Sequence, residues 1–277
     1  MAGRSSGAVT LARTVRFAVN LASDPETPPR GVNGYAGVPP ADGFAACYEL
    51  TLACKGPPDP RTGYFLDIKD MDRAARAVAL PRIARACLGA RATPEHPAAV
   101  LGRVFGPLSD ALGGTLESLT LALSPYHRLS MTAHLPGVAL VRHRFEFSAA
   151  HRLHAPSLSD EENRRVFGKC NHPAGHGHNY VFEPEIALEL AATAGRVPVA
   201  AIEAVVHEAV IARVDHTFLN HDVPEFGPAG LNPSVENIAA VCFRWLEPRI
   251  PQRLGPGARL ARVTVWETEK TSAAYPA

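Results

Sequence analysis

The chain has 277 residues, 46% of them hydrophobic, and a formal net charge of +1. That length holds one large domain or two of ordinary size. Balanced charge argues against a general nucleic-acid binder, whose surface needs a clustered basic excess, and no stretch is long and uncharged enough to cross a membrane as a helix. The N-terminal run MAGRSSGAVTLARTVRF has no continuous apolar core, so no signal peptide is expected. The five cysteines, Cys47, Cys54, Cys87, Cys170 and Cys242, lack framework spacing and read as reduced thiols of a cytoplasmic protein.

In chain order, Val15–Asn20 is expected as a strand, followed by a Pro- and Gly-rich loop over Ser23–Gly43. Tyr48–Lys55 is a second strand, Gly56–Gly63 a turn and Tyr64–Leu66 a short extended piece. Asp70–Leu80 and Ala98–Leu112 read as helices, Leu116–Leu123 as a strand, and Leu129–Val141 as a joint between two halves. Beyond the joint, Arg144–His151 alternates in period two, with Phe145, Phe147 and Ala149 on one face. His178–Leu190 is a second extended segment, interrupted by Pro184. Ala201–Arg213 places Ile202, Val205, Val206, Ala209 and Val210 on one helical stripe. Ser234 is a plausible N-cap for a second helix carrying Ile238, Val241, Cys242, Trp245 and Leu246, closed by Pro248. Leu260–Glu267 is a strand with Val263, Val265 and Glu267 on one face. The order strand, strand, helix, helix, strand occurs twice. The expected fold is therefore α+β, built as two tandem ββααβ modules over residues 1–135 and 136–277. A single large α+β domain is the alternative.

The candidate chemistry lies in the second half. His176 and His178 are two apart, so on an extended chain both imidazoles point to one face, about 7 Å apart. The glycine between them leaves room for an ion, and His151 at the end of the preceding strand can supply a third nitrogen. Three imidazoles with an open position suit a catalytic zinc; a pair of exposed strand histidines is the bland reading. Cys170, beside Lys169, is an activated thiol, a core cysteine, or a fourth ligand that would close the site. Asp215 and His216 can form a proton-transfer pair or a solvated helix end. Glu267, on an apolar strand face, needs a partner there, such as an amidine-like edge, unless the strand has already reached solvent.

These residues stand in runs that resemble one family. Phe147-Ser148-Ala149-Ala150-His151-Arg152-Leu153, Leu158-Ser159-Asp160-Glu161-Glu162-Asn163, Phe167-Gly168-Lys169-Cys170-Asn171 and His176-Gly177-His178-Asn179-Tyr180 resemble the 6-pyruvoyl-tetrahydropterin synthases. Asp215-His216-Thr217-Phe218-Leu219-Asn220, Pro233-Ser234-Val235-Glu236-Asn237 and Trp266-Glu267-Thr268 follow in the same order, over about 130 residues. The resemblance implies zinc ligands His151, His176 and His178, a catalytic Cys170, and Asp215–His216 as the proton-transfer pair. It also implies that Glu267 grips the pterin ring and that Glu236 helps line its pocket. The implied fold is the tunnelling fold, whose modules assemble into barrels; a homo-oligomer is expected, a trimer of chains or a dimer or tetramer. Val235 replaces a frequent hydroxyl residue, and a short hairpin with Pro184 is expected after Tyr180.

The implied substrate is 7,8-dihydroneopterin triphosphate, with zinc as Lewis acid and triphosphate eliminated. The product is 6-pyruvoyl-tetrahydropterin, favoured by the five residues between Cys170 and His176, or the 6-carboxytetrahydropterin of queuosine synthesis. A non-catalytic zinc-bearing assembly protein is a further alternative. The first half resembles an eroded module of the same fold. It carries Gly43-Phe44-Ala45-Ala46-Cys47-Tyr48 where the glycine–histidine motif would stand, and it is assigned no chemistry.

Overall fold

A long antiparallel hairpin opens the chain. β1 (Val9–Asn20) pairs along its length with β2 (Ala45–Gly56), from Val9 opposite Gly56 to Asn20 opposite Ala45. The computed structural model describes residues 7–21, 41, 43–89 and 95–277; the expected loop over Ser23–Gly43 lies almost wholly outside the described residues. Two units divide the chain. One is Met1–Val141 with Leu188–Val197, and the other is Arg142–Ala187 with Pro198–Ala277.

In the first unit a helix follows the hairpin. α1 (Ile68–Ala74) continues through a π-type stretch, Ala75–Ala79, into α2 (Leu80–Gly89). The Asp67 side chain caps its start by accepting from the Lys69 N–H. α3 (Pro97–Ala111) begins with proline, whose missing N–H is harmless there. β3 (Leu116–Ser124), β4 (His127–Thr132) and β5 (Val138–His143) follow, and β1 to β5 lie side by side in sequence order. Val15, Phe17, Leu50, Leu52 and Leu119 are wholly buried on one face, where α1, α2 and α3 cover the sheet. One expectation fails here. Tyr64–Leu66 is not extended: the Asp59 carboxylate accepts from the N–H groups of Arg61 and Thr62, and its own N–H donates to the Tyr64 carbonyl, which curls the segment. The joint over Leu129–Val141 holds much of β4 and β5, with Leu129 opposite Leu121 and Met131 opposite Leu119.

The second unit starts with β6 (Phe145–His151), then α4 (Asp160–Phe167) and β7 (His176–Glu189). β7 is not broken at Pro184. The fixed φ of proline is compatible with extended chain, and the strand runs on for 14 residues where a short hairpin is expected. α5 (Leu190–Thr193) belongs to the first unit. α6 (Val199–Val206) passes through a π-type stretch, His207–Ile211, into α7 (Ala212–Val214). β8 (Thr217–Phe218), α8 (Leu219–Asp222), α9 (Val235–Leu246), α10 (Arg249–Leu254), β9 (Ala258–Thr268) and β10 (Thr271–Tyr275) complete it. β6 and β9 both pair with β7, β10 extends β9, and β8 runs parallel to β6. The stripe of α6 and the π-type stretch packs with Ile238, Val241, Cys242 and Leu246 of α9 against Val263 and Val265, all nearly or wholly buried. Burying each of the Val, Leu and Ile side chains contributes about 1.5–3 kcal/mol. Trp245 sits at the rim of that core, its indole N–H donating to Glu225. The chain is thus mixed α+β, and the β6–β7 end projects its side chains beside α9's N-terminus.

Candidate active site

The site is built where β6 ends and β7 begins. His151 stands opposite His176 in the ladder and Ala149 opposite His178. Alternation then puts His176 and His178 on the face that carries Tyr180 and Phe182. The ring centroids lie 4.5 Å apart for His151 and His176, 5.2 Å for His151 and His178, and 4.8 Å for His176 and His178. Glu267 reaches the same place from β9, and one donor atom from each of the four residues lies within 4.8 Å of the others. Cys170 is not in that group.

Protons can be assigned from partners. His151 is fully buried, with Nδ1 2.7 Å from the Pro233 carbonyl oxygen. A carbonyl only accepts, so Nδ1 carries the hydrogen and Nε2 keeps its lone pair. That Nε2 lies 3.1 Å from His176 Nε2 and 3.2 Å from Glu267 Oε1. His178 Nε2 is 3.5 Å from the same oxygen, too poorly directed for a hydrogen bond, and it is buried without a partner, as is His176 Nδ1. Burial lowers the pKa of both His151 and His176, holding them neutral as ligation requires. Inward lone pairs, neutral rings and a buried partnerless nitrogen fit a divalent metal with a nitrogen-rich shell, zinc among them.

Two glycines flank the ligands differently. Gly175 has φ +71°, and a Cβ there would come within 2.8 Å of the Phe218 ring and 3.0 Å of the His151 carbonyl oxygen. It is needed to turn the chain into His176. At Gly177 a Cβ would meet only the Ala149 oxygen, at an ordinary 3.7 Å. Alternation directs it away from the histidines, so it does not serve to make room for an ion.

Cys170 sits in the 3-10 turn Gly168–Asn171, half-buried, with its carbonyl accepting from Leu153 N–H at 2.8 Å. Burial, then the charges of Glu267 and Cys170, push the Tyr180 phenol pKa upward. Tyr180 stands edge-on to His151 and His178, its oxygen buried without a partner. Sequence reasoning missed it; two residues beyond His178 on the same face was the available signal.

Asp215 and His216 form an ion-pair contact of 2.9 Å between Oδ2 and Nδ1. Asp215 Oδ1 accepts from Ser148 N–H, and His216 N–H donates to the Ser148 carbonyl, so the dipeptide clips onto β6. The clip holds His216 in the left-handed region at φ +57°. The Ser148 N–H, then the His216 side chain, keep the Asp215 carboxyl below its usual range. His216 remains 83% exposed. It lines a cleft of about 340 Å³ with Ser148, Gly177, His178 and Thr217, and Cys170 does not line it. Glu236 is exposed in the first turn of α9, outside the four-residue group. Val235 is buried. Sequence reasoning also missed Asn220, whose amide accepts from Arg152 N–H and donates to the Arg152 carbonyl, fixing the residue after His151.

Three inward imidazoles with a carboxylate among them form a group that could hold a metal ion, and a separate Asp–His pair stands beside it. The family model for 6-pyruvoyl tetrahydropterin synthase matches residues 140–277. The 6-pyruvoyl tetrahydrobiopterin synthase of Homo sapiens is 38% identical over 138 residues, 50% of this chain and 90% of that protein. That of Drosophila melanogaster is 37% identical over 139 residues, 50% of this chain and 79% of that protein. A solved structure of the Caenorhabditis elegans 6-pyruvoyl tetrahydropterin synthase is 34% identical, covers 50% of this chain and 94% of that chain, and has a TM-score of 0.44. Through its second half the chain belongs to the 6-pyruvoyl tetrahydropterin synthase family, whose members are lyases.

Proposed function

We propose that the second unit is a zinc-dependent pterin synthase that converts 7,8-dihydroneopterin triphosphate to 6-pyruvoyl-tetrahydropterin with loss of triphosphate. The observation that carries this reading is the proton-locked His151, whose free Nε2 faces His176 and the Glu267 carboxylate. Zinc held by His151, His176 and His178 would supply Lewis acidity toward the side-chain hydroxyls of the substrate. Cys170 moves a proton at the side-chain carbon. Asp215 orients His216 through the Oδ2–Nδ1 contact, so that the imidazole can return protons from the cleft beside His178. Glu267 touches two ligand nitrogens, which suits a carboxylate binding the substrate at its side-chain hydroxyls. The amidine edge of a pterin is at the opposite end of the bicyclic ring. There Glu236 is the candidate partner, three residues from the Pro233 carbonyl that holds His151. The five-residue spacing of Cys170 and His176 favours the pyruvoyl over the carboxy product.

The first unit is read as a non-catalytic tunnelling-fold module. At the same end of its hairpin the inward positions are Val19, Ala46 and Tyr48 rather than three histidines. On this reading the chain works as a cytoplasmic homo-oligomer in which the first unit serves as barrel wall. The test is Cys170→Ala with product identification by mass. Turnover should vanish while zinc content stays near that of the native chain; loss of most of the zinc would make Cys170 a ligand and the centre structural.

A further inference from the structure

Beside the metal group, a recess of about 610 Å³ opens between α4 and the Gly168–Asn171 turn. Its wall carries Arg152, Arg164, Lys169 and His172, ends on His176, and includes one carboxylate, Asp160. The whole chain is nearly neutral at +1, so this is a local concentration of cations. Among the described residues no carboxylate pairs with Arg164 or Lys169, whereas Arg142 and Arg144 are matched by Glu185 and Glu183. Arg152 spends two of its five N–H donors, one on the Asn171 carbonyl at 3.2 Å and one on His154 Nδ1 at 3.3 Å. Three remain for a ligand.

The frame behind these cations is fixed. Asn171, 7% exposed, donates to the Leu153 carbonyl at 2.7 Å, and Leu153 N–H donates back to Cys170. The capping box of Ser159 and Glu162 sets the start of α4, and with it the position of Arg164.

We propose that this recess is a polyphosphate subsite, holding the triphosphate ester of the pterin substrate beside the metal group until it leaves. The proposal rests on the function proposed above. The argument is one of reach. If the side-chain hydroxyls lie at the three histidines, the phosphoester end of the same short side chain emerges next to His176, where the recess begins. Cations carried on that frame stabilise the departing anion, and Asp160 limits how tightly it is held once free.

The test is isothermal titration of the full zinc-loaded chain with inorganic tripolyphosphate at constant ionic strength. Arg164→Ala/Lys169→Ala should weaken binding at least about tenfold. Arg164→Lys/Lys169→Arg should restore it to within about threefold, and Asp160→Asn should tighten it about two- to fivefold. Phosphate-free dihydroneopterin should bind the double alanine variant as it binds the native chain. Unchanged tripolyphosphate affinity in that variant overturns the subsite, as does an equal loss for the phosphate-free pterin. Native tripolyphosphate binding that responds as stated, without turnover of the pterin triphosphate, would leave the subsite standing and reject the function. Turnover whose KM ignores both cations would reject the subsite alone.

Discussion

Asn163 is wholly buried and ties α4 to the loop that leads from His151. Its Oδ1 accepts from Ala155 N–H at 2.8 Å. Its Nδ2 lies 3.0 Å from the carbonyls of Ala155 and Leu158 and 3.1 Å from that of Ser159. Two hydrogens therefore serve three acceptors. In Asn163→Ala, the Ala155 carbonyl still accepts from Leu158 N–H, and the Ser159 carbonyl still accepts from the residue 163 N–H. The Ala155 N–H and the Leu158 carbonyl lose their partners. At about 1–3 kcal/mol for each orphaned group, with water reaching part of the loop, the cost is about 2–4 kcal/mol. In a protein of this size that lowers Tm by about 5–15 °C, readable by far-UV circular dichroism. Asn163→Asp should be at least as damaging, because a buried carboxylate would face three carbonyl oxygens. A Tm shift under about 2 °C for the alanine variant, or a milder effect of aspartate than of alanine, would refute the reasoning.

Two further outcomes follow from local geometry. Gly175→Ala forces a side chain into a left-handed turn and against Phe218; a loss of about 2 kcal/mol in stability and weaker zinc retention in a chelator competition are expected, and native zinc affinity would count against the turn's role. Asp215 has a folded pKa below its unfolded value, so its contribution to stability is present above the unfolded pKa, near pH 4, and is lost as pH falls through the folded pKa. Asp215→Asn should flatten the acid limb of a urea-stability profile below about pH 4, and an unaltered limb would show that the Ser148 clip carries no charge-dependent stability.

The histidine group was legible because its chemistry is local in sequence. His176 and His178 alternate on one strand, and the spacing alone sets their shared face. The helix stripe over Ile202–Val210 and the Ser234 cap were legible for the same reason. What was not legible depends on register. Nothing in Trp266-Glu267-Thr268 announces that this carboxylate meets His151, because the meeting requires β9 to lie beside β7. Pro233 is likewise silent as the acceptor that sets the His151 tautomer, since proline is read as punctuation and its carbonyl is invisible in a pattern. Pro184 misled in the opposite direction, because its breaking effect depends on a lost N–H and β7 stays extended through it.

The two hairpins differ in what they place at one end of the ladder. In β1–β2 the inward positions run Val15, Phe17 and Val19 against Ala46, Tyr48 and Leu50, and packing alone accounts for them. In β6–β7 they run Phe147, Ala149 and His151 against His176, His178 and Tyr180. Phe147 and Tyr180 still stack at 4.9 Å, as a core pair should. The departure is confined to the last turn of the ladder, where His151 is buried at the cost of needing the Pro233 carbonyl and a neutral ring. Core burial does not ask for three imidazoles there. The corresponding end of β1–β2, with Val19, Ala46 and Tyr48, carries none. Beside Glu267 the three imidazoles leave the His178 nitrogen without a protein partner, a position that a ligand shared by the three rings would satisfy.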